Sequence, residues 1–173
     1  MNIYLLRHAP VISEYEGCYN GWINIDIQSD IKPIKELQSI KFDNIYSSDL
    51  LRCTKTLDIL GFKNYQIDSR VRESKFKYNV EGKNFNQINP PQSALKDMKS
   101  WYNFICHESI EEFRNRIKLF LNEIKGENIL ICSHGGAIRM IISILEQKDF
   151  YKLFEKKIDY LEVRHVLKKI VLL

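Results

Sequence analysis

Two histidines and two arginines stand where a sheet could bring them together. His8 follows Arg7 at the end of the apolar run Ile3–Arg7, and His134 comes just after the apolar run Asn128–Cys132. Short apolar runs bounded by turn residues read as buried strands. If these two strands are neighbours in one parallel sheet, both imidazoles reach the same edge. Arg52 lies just inside the helix expected after another strand, Asn44–Ser47, and would join them there. A guanidinium's planar fork matches phosphate oxygens. An imidazole can attack phosphorus when its attacking nitrogen carries no proton. The set points to phosphoryl transfer through a phosphohistidine. His107 and His165 have no such setting and are expected to be surface or hydrogen-bonded histidines.

The elements that must position these groups alternate between strand and helix. Residues 10–31, with Pro10, Gly17 and Gly21, read as a long functional loop. A short helix is expected next, capped by Ser29 or Asp30, with Pro33 in its first turn and Ile34, Leu37 and Ile40 at helical spacing. Ser48 or Asp49 is expected to cap the helix carrying Leu50, Leu51, Leu57 and Leu60, which Gly61 stops. Tyr65–Ile67 reads as a short strand, residues 68–92 as the least regular stretch, and Leu95–Ile105 as helical. Residues 110–124 carry the clearest helix signal, with Ile110, Phe113, Ile117, Phe120, Leu121 and Ile124 on one face. Ser133–Gly136 reads as a turn, Ala137–Leu145 as an apolar helix, and the tail Tyr160–Leu173 as a strand or hairpin. The alternation predicts an α/β layered fold with a mostly parallel sheet, whose ligands sit beyond the carboxyl ends of its strands.

Composition narrows the function classes. The chain has 173 residues, 45% hydrophobic and 28% charged, which fits one ordinary globular domain over residues 1–173 and excludes disorder. No apolar run approaches the ~18 residues of a membrane helix, and MNIYLLRHAP meets Arg7 and His8 too early for a signal peptide. A cytoplasmic protein is expected. The net charge of +4 is scattered, without the clustered basic stripe of a nucleic-acid binder. Cys18, Cys53, Cys106 and Cys132 form no CxxC pair and match no zinc spacing, so reduced, mostly buried thiols are expected and no metal.

Three segments carry a resemblance. LLRHAP, SSDLLRCTKT and SHGGAIR are similar, in order and spacing, to the core motifs of the histidine phosphatase superfamily, which includes cofactor-dependent phosphoglycerate mutase. The resemblance covers roughly residues 1–82 and 108–140. It implies a three-layer α/β/α fold of phosphoglycerate mutase type, a small phosphorylated metabolite as substrate, and no cofactor. Position by position, it implies His8 as the phosphorylated nucleophile, Arg7 and Arg52 as phosphate clamps, and His134 as the second histidine bonding the transferring group. Val71-Arg72-Glu73 resembles the family's LxE segment, which makes Glu73 the proton donor, with Glu81 the competing carboxylate. Tyr19-Asn20-Gly21-Trp22 resembles the substrate loop and would put Asn20 and Gly21 near substrate. Glu108-Ser109, with Phe113 and Arg116, resembles the family's GES…F…R helix start.

Departures separate hydrolase from mutase. Ala9 replaces the glycine of the first motif, Ser74 follows Glu73 where mutases have arginine, and residues 74–107 contain no arginine. A mutase must hold a bisphosphate intermediate while it reorients, whereas a phosphatase only releases product and admits water. Hydrolysis of a phosphomonoester, without a metal, is therefore expected, with the mutase as the alternative. The RHAPV opening followed by Cys18-Tyr19-Asn20-Gly21 resembles α-ribazole phosphatases. A catalytically silent phosphate-binding or regulatory domain is the alternative from another class. It would normally have lost one of Arg7, His8, Arg52 or His134, and all four are present.

Overall fold

The computed structural model describes residues 1–168. Its strands are β1 (Asn2–Arg7), β2 (Asn44–Ser47), β3 (Gln66–Ile67), β4 (Asn128–Ser133) and β5 (Val163–Leu167). They form one sheet in the order β3-β2-β4-β1-β5, in which β5 alone runs antiparallel, against β1. β1 and β4 are parallel neighbours with Arg7 opposite Ser133, so the two histidines emerge side by side at one carboxyl edge.

Alternation along the strands builds the two faces, because successive side chains point to opposite sides. Ile3 and Leu5 of β1 join Ile129 and Ile131 of β4 in one core cluster. Leu6, Leu130 and Cys132 belong to the other. The first cluster is closed by α3 (Met98–Ile105), α4 (Ile110–Glu123) and α5 (Gly135–Glu146), through Tyr102, Phe113, Ile117, Phe120, Ile138 and Ile141. The second is closed by α1 (Lys35–Gln38) and α2 (Leu51–Ile59), through Leu37, Cys53 and Leu57. This is the expected three-layer α/β/α arrangement.

Several element ends differ from expectation for local reasons. The first helix is a single turn whose N-cap is Ile34, so Ser29 and Asp30 cap nothing and Pro33 precedes it. The N-cap of α2 is Leu50, which has no side-chain bond to offer; Asp49 pairs with Arg72, and Ser48 Oγ, bound to His134, also accepts the Leu50 N–H at 3.4 Å. Leu95 ends a short 3₁₀ turn, and α3 begins at Met98 because Asp97 accepts the Ser100 N–H at 2.7 Å. Gly135 and Gly136 belong to α5 rather than to a turn. Ser109 caps α4 in a reciprocal box with Glu112. Among the described residues of the tail, Val163–Leu167 is strand, and residues 169–173 lie outside the described residues.

Candidate active site

The β1 and β4 ends, the first turn of α2 and the loop around Gly21 enclose a cavity of about 230 Å³. Arg7, His8, Asn20, Gly21, Arg52 and Glu73 all line it. His8 is 5% exposed. Its Nδ1 lies 2.7 Å from the Ala9 carbonyl, which can only accept, so Nδ1 carries the proton and donates it. That leaves Nε2 of the neutral ring with a free lone pair. Burial, then the charges of Arg52 and Arg7, hold the imidazole well below the ordinary histidine range. The Ala9 N–H donates to Thr56 Oγ1 at 2.9 Å, and that hydroxyl donates to the Arg52 carbonyl, tying the β1 exit to α2.

The two arginines differ in how they are held. Arg52 is 1% exposed and donates to the carbonyls of Ile23 and Gly21 and to His134 Nδ1, at 2.9, 2.7 and 3.1 Å. It therefore braces the loop as well as the cavity. Arg7 donates to the Ile158 carbonyl and lies 3.9 Å from the centre of the Tyr160 ring, while its buried Nε has no protein acceptor. Each guanidinium keeps N–H groups for an anion.

His134 sits behind this pair and does not line the cavity. Because Arg52 Nε can only donate, His134 Nδ1 accepts, and Nε2 then donates to Ser48 Oγ at 2.9 Å. Burial and then Arg52 hold this ring well below the ordinary range too. The His8 and His134 rings are 5.1 Å apart.

Glu73 is fixed through its backbone and its carboxylate together. Its carbonyl accepts from Trp22 Nε1 and Arg116 Nη2, both at 2.8 Å. Arg116 also donates to the carbonyls of Arg70 and Arg72 while pairing with Glu108, so α4 pins the irregular segment. The Glu73 carboxylate accepts the Ser74 and Gly136 N–H groups at 2.8 and 3.0 Å. A Cβ on Gly136 would stand 2.2 Å from Glu73 Oε1, so that position must be glycine for this approach. Glu81 lies elsewhere: it accepts the Trp22 N–H at 2.6 Å. It packs against Gly21, whose φ of +43° favours glycine and whose Cβ would stand 2.2 Å from Glu81 Oε1. Asn20 donates to the Tyr15 carbonyl at 2.9 Å, and its Oδ1 is buried without a partner.

Sequence reasoning did not single out Arg139, Phe154, Lys157 or Tyr160, which also line the cavity. Arg139 stands within SHGGAIR and could have been weighed there. The other three lie in a stretch with no motif. His107 and His165 are remote; His165 stacks on Tyr4 at 4.7 Å. The four cysteines are free thiols, three of them buried. Among the described residues, no group of three or more His, Cys, Asp or Glu side chains is placed to hold a metal ion. No described helix is long and apolar enough to cross a membrane.

Residues 3–168 match the family model described as the histidine phosphatase superfamily, branch 1. The chain belongs to that superfamily. A protein of Hydrogenobacter thermophilus described as a putative phosphoserine phosphatase 2 is 33% identical over 166 residues, covering 83% of this chain and 77% of that protein. Among solved histidine phosphatase-like folds, a putative alpha-ribazole-5'-P phosphatase from Escherichia coli superposes with a TM-score of 0.73 at 19% identity, over 95% of this chain and 89% of the other. Bacillus stearothermophilus YhfR gives 0.73 at 19%, over the same shares of the two chains. These two structures speak for the fold alone.

Proposed function

We propose that this protein hydrolyses small phosphomonoesters through a phosphohistidine on His8. The observation that carries the reading is the 2.7 Å contact of His8 Nδ1 with the Ala9 carbonyl, an acceptor that holds the Nδ1 proton and leaves the Nε2 lone pair to the cavity that Arg7 and Arg52 line. His8 Nε2 attacks phosphorus, the P–O bond to the alcohol breaks, and protonated Glu73 gives its proton to the departing oxygen. Glu73, now a carboxylate, takes a proton from water as the water oxygen attacks phosphorus. The P–N bond then breaks, releasing phosphate and restoring neutral His8. Charge on the equatorial phosphoryl oxygens is met by Arg7 and Arg52. His134 acts on the phosphoryl group through Arg52, whose Nε it holds.

Hydrolase is favoured over mutase by the sequence departures: Ser74 follows Glu73 where mutases have arginine, and residues 74–107 contain no arginine. Arg139 donates to the carbonyls of Gly135, Leu153 and Lys156, and Lys157 pairs with Asp159. Beyond Arg7 and Arg52, these two are the lysine and arginine side chains that line the cavity. A panel of p-nitrophenyl phosphate, simple alkyl phosphates, O-phosphoserine and α-ribazole 5'-phosphate tests the reading, with phosphate release as readout. Turnover that survives EDTA is expected, because the described residues place no group of three or more His, Cys, Asp or Glu side chains to hold a metal ion. No release from any ester would leave the silent binding domain. Loss with EDTA and rescue by a divalent ion would overturn the metal-free chemistry.

A further inference from the structure

A second cavity, of about 240 Å³, opens beside the first. The two share Tyr19, Glu73, Phe76, Gly136 and Phe154, so the Glu73 carboxylate stands at their junction. Beyond Glu73 the lining includes Phe76, Met98, Trp101, Ile105 and Phe154, with Tyr19, Ser74, Tyr102 and Cys106 as the residues that carry a hydroxyl or thiol. No lysine, arginine or histidine lines it. The apolar surface continues past Tyr19 and Trp101 into a groove edged by Phe85 and Leu95, which are 49% and 46% exposed.

An oxygen receiving a proton from Glu73 must lie at that junction, and the carbon skeleton attached to it then has the apolar cavity in front of it. A cavity of about 150 Å³ suffices for benzene, so this one takes a bicyclic ring or a chain of about six carbons. A carboxylate or ammonium on the alcohol would be desolvated there without a cationic partner or a spare anion. We propose that the alcohol portion of the substrate is an uncharged apolar body, aryl or medium-chain alkyl, seated between Phe76, Met98, Trp101 and Phe154. This substrate class rests on the phosphomonoesterase reading above.

Homologous n-alkyl phosphates test it cleanly, because their leaving oxygens have nearly the same basicity. Each methylene buried is worth about fourfold in affinity or kcat/KM, so hexyl phosphate should exceed ethyl phosphate by on the order of 10²-fold. It should also exceed O-phosphoserine. Binding of hexylphosphonate and ethylphosphonate by calorimetry reads the cavity without any chemistry and should show the same ratio in Kd. Met98→Asp places a carboxylate at the first position of α3, where the helix N-terminus favours an acid and folding is spared. It should bring hexylphosphonate close to ethylphosphonate. Equal Kd values for the two phosphonates, or a wild-type ratio kept in Met98→Asp, would overturn the proposal. Tight hexylphosphonate binding with no ester turned over would instead reject the hydrolase reading and keep the cavity's assignment.

Discussion

Replacing Glu73 with glutamine separates its two jobs, holding backbone donors and moving a proton. Its carboxylate accepts one N–H from Ser74 and one from Gly136. An amide has a single carbonyl oxygen, so one of those donors meets the glutamine NH₂ and loses its bond. An unsatisfied buried donor costs about 1–3 kcal/mol. For a chain of this size each kcal/mol lowers Tm by roughly 2–4 °C, so Glu73→Gln should melt roughly 2–12 °C below wild type while staying folded at 25 °C. The chemical loss should depend on the leaving group. An alkyl phosphate departs as a poor alkoxide, and losing the acid should slow phosphorylation of the enzyme by about 10²–10⁴-fold. A p-nitrophenolate leaves unprotonated, and its loss should stay within about tenfold. Single-turnover phosphorylation rates are the assay, because Glu73 is assigned a second role in activating water and steady-state rates mix the two. Equal losses for both esters would refute Glu73 as the acid, and a leaving-group-dependent loss in Glu81→Gln alone would move the role there.

Arg52→Gln removes the cation that, after burial, does most to keep His8 neutral. The His8 pKa should rise, so the acid limb of kcat/KM should move to higher pH while kcat falls by about 10²–10³-fold; an unmoved limb would reject the coupling. Both site histidines are held neutral in the folded protein, whereas the unfolded chain takes up their protons below pH ~6.5. The unfolded state then binds more protons, so stability should fall as pH drops below ~6.5, by up to about 1.4 kcal/mol per pH unit for each histidine. Urea unfolding at pH 7.5, 6.5 and 5.5 measures this, His134→Asn should reduce the slope, and a flat wild-type profile would contradict it. Gly136→Ala gains roughly 1 kcal/mol of helix propensity but takes the Glu73 acceptor from the Gly136 N–H, at about 1–3 kcal/mol, so it should not stabilise the protein. Its Cβ displaces the Glu73 carboxylate, so alkyl phosphate turnover should drop at least about tenfold, and an unchanged rate would put that carboxylate outside the reaction.

What could be read from residues alone followed the strength of local signals. β1 and β4 were legible because each is an apolar run ending in a polar pair, and their pairing in register brings His8 and His134 together. Arg52 was legible from its place in the first turn of a helix after β2. The boundary at Ser48 and Asp49 was not, because Asp49 is taken by Arg72 and Ser48 Oγ, bound to His134, keeps only a longer 3.4 Å bond to the Leu50 N–H. The segment around Glu73 has no periodicity, since it is held by Trp22, Arg116 and Gly136 from distant parts of the chain rather than by a ladder. The engagement of both His134 nitrogens by protein groups has no sequence signature. The apolar cavity was hidden for a related reason: Met98, Trp101 and Ile105 carry no motif within the expected helix, and only packing leaves space beside them.

The central claim is that phosphorus becomes bonded to His8. Rapid acid-free quenching during turnover of a radiolabelled phosphomonoester, followed by alkaline digestion and peptide mapping, tests it most directly. A base-stable, acid-labile label on the peptide carrying His8, absent in His8→Ala, is the predicted result. A label on Ser48, on Cys53 or on His134, or no label when quenching outpaces turnover, would contradict it.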